Sequence, residues 1–141
     1  MDVDVCVREL MSSPVIHLSP DKSVKEAAQL IAEKKIGCML VKGGGKFVGI
    51  LTERDIVERV VAKGLDPNET KIKDVMTADF VTAPAETSFL DANDLMSEKK
   101  IRRLPLTEEG EIVGIITIRD IQARMSYSQL EGEIGSFKKR E

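Results

Sequence analysis

The fold of this chain is decided by Gly114-Ile115-Ile116-Thr117-Ile118-Arg119-Asp120, a stretch that occurs earlier as Gly49-Ile50-Leu51-Thr52-Glu53-Arg54-Asp55. Each copy begins with an apolar run suited to a short buried strand and becomes polar at its Thr. This pattern predicts a strand that leads directly into the first turn of a helix. The Thr hydroxyl and the Asp carboxylate then face the same way, beside amide groups that have no intrahelical partner.

Two interpretations fit the spacing of Thr and Asp. A carboxylate can accept hydrogen bonds from two hydroxyls, as on a ribose, and the free amides at a helix N-terminus suit a phosphate. Alternatively, Thr at the N-cap with Asp at N3 is close to a capping box and needs no ligand. The occurrence of two copies in matching context strengthens the ligand interpretation, and both remain open.

The similarity extends well beyond these seven residues. Sliding the chain on itself without a gap lays Val7–Val57 over Ile72–Gln122, and about 16 of 51 positions are then identical, which indicates an internal repeat. We therefore predict a first repeat over residues 7–64, a linker over 65–71, a second repeat over 72–125 and a polar C-terminal tail over 126–141.

Composition narrows the class of protein. The 141 residues are 42% hydrophobic and 32% charged, with a formal net charge of −3, so general electrostatic binding of nucleic acid is not expected. No apolar run approaches the roughly 20 residues of a membrane span. The N-terminus lacks the features of a secretory signal. Cys6 and Cys38 are far apart in the sequence and form no Cys-x-x-Cys motif, so the sequence predicts an intracellular, cytoplasmic protein. A unit of about 50 residues buries little apolar surface, so the two repeats are expected to share a core.

Periodicity predicts the order strand, helix, strand, strand, helix in each repeat. Ser23 with Glu26 at N3 reads as a capping box that begins the first helix, and apolar residues follow at helical spacing. Gly43-Gly44-Gly45 reads as a hairpin turn rather than a phosphate loop, because no Lys-Ser/Thr follows it. The predicted strands are Val15–Leu18, Cys38–Val41, Phe47–Leu51, Phe80–Ala83, Leu104–Leu106 and Ile112–Ile116, and the helices begin at Ser23, Glu53, Phe89 and Ile118.

Catalytic chemistry finds no support in the sequence. The single His, His17, lies in an apolar strand, and no Ser or Cys is placed to pair with it by a known motif. One His and two distant Cys cannot supply a tetrahedral metal site. We therefore predict neither catalytic residues nor a metal.

Basic residues mark the place where the first helix of each repeat ends. Lys at a helix C-terminus is explained by the helix dipole alone. Arg102-Arg103 differs, because it interrupts the apolar beginning of a strand, and a guanidinium presents a planar fork to phosphate oxygens. A surface carboxylate is the equally weighted alternative partner. Pro105 within the same strand predicts an edge or irregular position with accessible backbone.

The two repeats resemble a tandem pair of cystathionine-β-synthase (CBS) domains, a stand-alone Bateman module. The resemblance rests on the β-α-β-β-α order, on Lys-Lys-Ile-Arg-Arg-Leu-Pro-Leu (residues 99–106) and on the doubled Gly-x-x-Thr-x-Arg-Asp, and it covers about Val7 to Met125. It implies an α/β (α+β) fold of two repeats packed sheet to sheet with pseudo-two-fold symmetry.

The resemblance also implies two related clefts that bind adenosine ligands, with the Asp on the ribose and apolar residues of the opposite repeat around the base. Carried over by position, one cleft takes Thr117, Arg119, Asp120 and Arg103, with Ile16, Ile36 and Gly37. The other takes Thr52, Arg54 and Asp55, with Val81, Ile101 and Arg102. Cys38 and Leu40 stand where the second repeat has Arg103 and Pro105, so the Asp55 cleft lacks the counterpart of Arg103.

The resulting hypothesis is a non-catalytic regulatory module that senses AMP or ATP, with S-adenosylmethionine as a further candidate ligand. It is expected to form a homodimer and to act through an unknown effector protein. The rival hypothesis is a structural or protein-interaction and dimerisation module whose clefts are empty. Nucleic-acid binding ranks below both, since the chain has no Trp and one Tyr to form a stacking platform.

Overall fold

Each repeat folds into strand, helix, strand, strand, helix, as the sequence predicts. The computed structural model describes residues 5–125, so the predicted tail over 126–141 lies outside the described residues. A 3₁₀ turn (Val7–Glu9) is followed by β1 (His17–Leu18), α1 (Val24–Lys34), β2 (Cys38–Gly43), β3 (Lys46–Thr52), α2 (Glu53–Ile56) and a π-helix (Val57–Val61). The chain then forms α3 (Ile72–Val75), β4 (Ala83–Pro84), α4 (Phe89–Lys99), β5 (Arg103–Glu108), β6 (Glu111–Thr117) and α5 (residues 118–125).

Both sheets in the described residues have three strands and the same topology. Their orders are β1-β2-β3 and β4-β5-β6. In each sheet the short first strand runs parallel to the middle strand, which pairs antiparallel with the third. The connection between β2 and β3 is the predicted glycine hairpin turn, in which Gly44 and Gly45 have φ of 61° and 77°, values that residues other than glycine rarely adopt.

The chain divides into two compact units that exchange their leading segments. The first-repeat unit consists of residues 15–80, and the second-repeat unit joins residues 5–14 to residues 81–125. We call residues 5–14 the N-terminal arm; its Ser12 forms a β-bridge with Ile115 of β6. We call residues 71–80 the middle arm; its Thr77 forms a β-bridge with Ile50 of β3. Each sheet is therefore extended by the segment that precedes the other repeat in the chain.

Each arm packs a methionine against a glycine of the neighbouring strand. A Cβ added to Gly114 would overlap the side chain of Met11 and lie 3.1 Å from the Ser12 carbonyl oxygen. Gly49 stands in the same relation to Met76. These glycines allow the arm backbone to approach the strand closely.

Ion pairs at the surface connect each arm to the unit that it joins. In the second-repeat unit Arg8 pairs with Glu86 and donates a 2.7 Å hydrogen bond to Glu108. At the matching place in the first-repeat unit, Lys73 lies 3.3 Å from Asp21. The bonds to Glu108 and Glu86 raise the pKa of Arg8, and the bond from Arg8 lowers the pKa of Glu86. The repeated geometry indicates that both arms dock in the same way.

Each unit has its own apolar core. The first-repeat core is built from α1, both longer strands, the π-helix and α3; its buried residues are Val24, Ala27, Ile31, Met39, Val41, Leu51, Val60, Ile72 and Val75. The second-repeat core includes two residues of the N-terminal arm; its members are Val5, Val7, Ala83, Ala85, Phe89, Ala92, Met96, Leu104, Leu106, Ile116 and Ile121. Of the stripe that helical spacing predicts on α1 (Val24, Ala27, Ala28 and Ile31), Val24, Ala27 and Ile31 are buried and Ala28 is half-buried.

The structure corrects several details of the sequence prediction. The strand predicted over Val15–Leu18 is His17–Leu18, and the strand predicted over Phe80–Ala83 is Ala83–Pro84. Pro105 is buried on the central strand of its sheet, so the prediction of an edge position was wrong. In the first repeat, Leu40 at the matching position donates its amide to the Ile16 carbonyl at 3.0 Å. Pro105 has no such N–H, which explains why β4 begins later than β1.

The other two corrections concern helices. The helix predicted to begin at Glu53 changes to π-helical winding after Ile56. At the start of α1, Ser23 Oγ accepts from the Glu26 amide at 3.1 Å, but the Glu26 carboxylate lies 3.8 Å from Lys22, so only the Ser half of the predicted capping box forms. None of the helices within residues 5–125 combines the length and apolar character that crossing a bilayer requires.

Candidate functional site

The start of α5 brings Thr117 and Asp120 into direct contact. Thr117 donates to the Asp120 Oδ2 from its amide at 2.9 Å and from its hydroxyl at 3.0 Å. In return the Asp120 amide donates to Thr117 Oγ1 at 3.2 Å. The capping interpretation of the Thr-x-x-Asp spacing is therefore confirmed in this repeat.

The start of α2 has the same arrangement. The Thr52 amide donates to Asp55 Oδ2 at 3.0 Å, and the Asp55 amide donates to Thr52 Oγ1 at 3.1 Å. Asp55 is only 8% exposed, whereas Asp120 is half-buried. In both units the cap engages Oδ2 alone. A carboxylate has about four lone-pair sites, so each Asp keeps acceptor capacity on Oδ1.

Arg103 lies beside the start of α5. It is the antiparallel partner of Thr117, the last residue of β6, and Cys38 is the corresponding partner of Thr52. Arg103 is half-buried, and its Nε is buried without a hydrogen-bond partner. An unsatisfied buried donor of a cation is costly, and an anionic oxygen at this place would satisfy it.

The remaining basic candidates face solvent. The Arg54 side chain is 80% exposed and donates to Glu58 at 2.7 Å, a bond that raises the pKa of Arg54. Arg119 and Arg102 are exposed. The Arg102 carbonyl accepts from the Ile118 amide at 2.8 Å, so its backbone, but not its guanidinium, is fixed at the start of α5.

Two of the residues carried over for the clefts, Gly37 and Arg102, bond to the helix starts of their own repeats. The Gly37 carbonyl accepts from the Glu53 amide at 2.9 Å, just as Arg102 accepts from Ile118. Ile36 packs against the first-repeat core, Val81 and Ile101 pack against the second-repeat core, and Ile16 is half-buried. Ile16, Ile36 and Gly37 belong to the unit that contains Asp55, and Val81, Ile101 and Arg102 to the unit that contains Asp120. Their assignment to the helix start of the opposite repeat stays a prediction.

Two further arginines escaped the sequence prediction. Arg59 and Arg124 each lie four residues after the Asp of their helix start. Arg59 Nη1 lies 3.7 Å from Asp55 Oδ1, and Arg124 Nε is buried without a hydrogen-bond partner. The signal in the sequence was the repetition of Arg at one offset behind the repeated Asp. Within residues 5–125, no group of three or more His, Cys, Asp or Glu side chains could hold a metal ion.

Comparison with known proteins identifies the type of domain. The family model described as "CBS domain" matches residues 7–62 and 72–127. The CBS domain-containing protein YhcV of Bacillus subtilis is 32% identical over 126 residues, which are 89% of this chain and 89% of that protein. Inosine-5′-monophosphate dehydrogenase of Methanocaldococcus jannaschii is 37% identical over 123 residues, which cover 86% of this chain but only 24% of the enzyme.

Solved structures share the fold. The CBS domain pair of protein MJ0100, in complex with 5′-methylthioadenosine and S-adenosyl-L-methionine, matches with a TM-score of 0.79 and 27% identity, covering 88% of this chain and 98% of that one. A hexameric CBS-CP12 protein from bloom-forming cyanobacteria matches with a TM-score of 0.78 and 29% identity, covering 84% of this chain and 66% of that one. The predicted α/β fold of two CBS repeats is confirmed.

Proposed function

Because this chain belongs to the CBS-domain family, we propose that it is a regulatory module that binds an adenosine-containing ligand at Asp55 and Asp120 and catalyses no reaction itself. AMP and ATP are the proposed ligands, and S-adenosylmethionine is a further candidate. The binding of methylthioadenosine and S-adenosylmethionine by the MJ0100 domain pair supports the ligand class.

The observation that carries the proposal is that only one of the two oxygens of each Asp carboxylate accepts the cap hydrogen bonds. Oδ2 of Asp55 and of Asp120 accepts the cap bonds, and Oδ1 takes no part in them. The cap therefore holds the carboxylate in one orientation, and the remaining lone pairs are available to vicinal ribose hydroxyls. Capping and ligand binding are compatible uses of the same residue.

The two sites are proposed to differ at their phosphate ends. Arg103 places a guanidinium with an unsatisfied Nε beside Thr117, whereas Cys38 holds the matching position beside Thr52. Arg54, the basic candidate at the Asp55 site, is engaged by Glu58. We therefore assign phosphate-bearing ligands preferentially to the site of Asp120.

Thermal denaturation of the full chain with a panel of ligands tests this function. AMP, ADP, ATP, S-adenosylmethionine and methylthioadenosine are compared with GMP as a matched phosphate control. A ligand present at about 100 times its Kd adds roughly 2.7 kcal/mol of stability, which raises Tm by several degrees. If no adenosine compound raises Tm above the GMP control, the proposed function is wrong.

The complete caps favour a second candidate, a structural or protein-interaction module. In each cap the Thr and the Asp form hydrogen bonds with each other and need no ligand to do so (Thr52 with Asp55, and Thr117 with Asp120). Exposed Val57, Val61 and Leu65 (57%, 67% and 46% exposed) offer an apolar surface for association. This candidate predicts a flat ligand panel together with a concentration-independent oligomer.

A regulatory module passes its ligand state to another protein or domain. We propose a cytoplasmic homodimer that passes its ligand state to an effector protein. Light scattering over a wide concentration series measures the assembly: a monomer at every concentration contradicts the dimer, and a hexamer would place the chain with the hexameric relative instead.

A further inference from the structure

We propose that Arg59 is a positioning residue that couples Asp55 to the middle arm (residues 71–80), so that a ligand held by Asp55 tightens the docking of this arm. The inference rests on the proposed function, because it concerns binding at the same carboxylate. It adds a route by which occupancy reaches the segment that leads into the second repeat.

One nitrogen of Arg59 contacts both the site and the arm. Nη1 donates to the Val75 carbonyl at 2.8 Å and to Thr77 Oγ1 at 3.3 Å, and it lies 3.7 Å from Asp55 Oδ1. A terminal guanidinium nitrogen carries two hydrogens, and these two bonds use both. Asp55 is therefore held through charge, and solvent screens this attraction in part, because the Asp55 side chain is 11% exposed and that of Arg59 is 45% exposed.

The arm is held at a second place by the strand that leads to Asp55. The amides of Thr77 and Ile50 each donate to the carbonyl of the other at 2.9 Å, and Met76 packs on Gly49. Thr77 is thus connected to Asp55 in two ways. Its backbone pairs with Ile50, which leads along the chain to Asp55, and its Oγ1 accepts from Arg59, which lies beside Asp55. A shift of the Asp55 carboxylate therefore acts on the arm through Arg59.

The local winding of the helix supports this role. Arg59 belongs to the π-helix Val57–Val61, in which the Ala62 amide donates to the Val57 carbonyl at 2.8 Å. π-helical turns occur frequently at functional sites. In the second repeat the matching residues 122–125 are α-helical, and Arg124 leaves its Nε buried without a hydrogen-bond partner. The coupling is thus assigned to the Asp55 site alone.

Hydrogen exchange and calorimetry on one set of variants test the coupling. The parent is the full chain carrying Asp120→Asn, so that binding through Asp55 is measured, and AMP is the probe. In the parent, saturating AMP should slow exchange of the Thr77 amide by about fivefold or more, a typical allosteric coupling. Arg59→Ala should reduce this ratio to about one and weaken AMP binding by a similar factor, because coupling is reciprocal.

Lys63→Ala is the control, since it removes an exposed cation just after the same helix; it should leave both the Thr77 ratio and the affinity of the parent unchanged. Arg59→Gln is the second variant should Arg59→Ala not fold, because Gln keeps a polar side chain that a helix accepts well while the charge beside Asp55 is lost. It should also lose the ligand-dependent ratio.

The outcomes separate the two proposals. If Arg59→Ala speeds Thr77 exchange equally with and without AMP and binds AMP as the parent does, Arg59 is merely structural and the inference is wrong. If the Asp120→Asn parent binds no AMP although the unaltered chain does, ligand binding at Asp55 fails and the coupling fails with it. If the unaltered chain binds none of the adenosine panel, the proposed function itself is overturned.

Discussion

Replacing Asp120 separates its role in the cap from its proposed role on the ribose. Asp120 Oδ2 accepts two hydrogen bonds from Thr117, at 2.9 and 3.0 Å. In Asp120→Asn the amide oxygen takes over this acceptor role, and the NH₂ group replaces Oδ1. Since NH₂ donates and cannot accept, the ribose hydroxyls lose their charged acceptor while the helix keeps its cap.

The magnitudes follow from these bonds. Losing hydrogen bonds from the ribose to a charged acceptor costs about 1.5–3 kcal/mol, so AMP should bind about 10- to 150-fold more weakly at the Asp120 site of Asp120→Asn, whereas binding at Asp55 should be unchanged. Its Tm should stay within about a degree of the unaltered chain. Asp120→Ala should show the same loss of affinity and should also lose about 1 kcal/mol of stability, because the Thr117 amide is left without its partner.

Titration calorimetry measures the affinity, and urea denaturation without ligand measures the stability. Asp94→Asn is the matched control, because it changes an exposed carboxylate on α4 in the same way. If Asp120→Asn binds AMP as tightly as the Asp94→Asn control does, Asp120 is a cap only. In that case the argument from the unused Oδ1 is wrong.

Three further predictions concern the arms and the phosphate end of the site. Gly114→Ala should destabilise the chain by about 1–3 kcal/mol in urea denaturation, because the new methyl group meets Met11 and the Ser12 carbonyl; an unchanged midpoint would mean that the arm does not pack here. Arg8→Ala should loosen the N-terminal arm and lower Tm. The pKa of Glu86 is depressed in the folded state, so the stabilisation by Arg8 is present above the unfolded pKa and is lost as pH falls through the depressed value. The Tm difference from the unaltered chain should shrink in acid, and a constant difference would contradict this assignment. Arg103→Ala should weaken AMP far more than adenosine in calorimetry; equal losses would show that Arg103 does not read the phosphate.

The order of helices and strands was predictable because its signals are local. Ser23 and Ser88 cap α1 and α4, and Thr52 caps α2, each through contacts within three residues. The glycine hairpin likewise depends on neighbouring residues. Where the decisive partner is local, hydrophobic period and capping chemistry are sufficient.

The exchange of arms could not be predicted because its bonds join distant residues. Ser12 pairs with Ile115, and the Val7 amide donates to Thr87 at 2.8 Å. In the sequence, residues 7–12 align with residues 72–77, so each arm reads as part of the repeat that follows it. The alignment shows that the arms are equivalent, but it carries no information about which sheet each arm extends.

The cap at each helix start was predictable from the sequence, whereas the way in which a cap leaves room for a ligand was not. A cap and a ribose site were opposed as explanations of Thr-x-x-Asp, yet the geometry assigns the cap to one carboxylate oxygen and leaves the other available. Arg59 and Arg124 were passed over because an Arg four residues after an Asp on a helix is the ordinary pattern of a solvated ion pair. Only the structure distinguishes Arg59 from such a pair, because its bonds reach the middle arm.

The two repeats differ in the arginines near their helix starts, and these differences suggest different roles for the two sites. The second-repeat unit has Arg103 beside its helix start, and an anionic oxygen there would accept a hydrogen bond from the buried Nε. The first-repeat unit has Cys38 there, and its π-helix Val57–Val61 carries Arg59, which lies beside Asp55 and binds the middle arm; the described counterpart, residues 122–125, is α-helical. We therefore expect the Asp120 site to contribute ligand selectivity and the Asp55 site to contribute transmission.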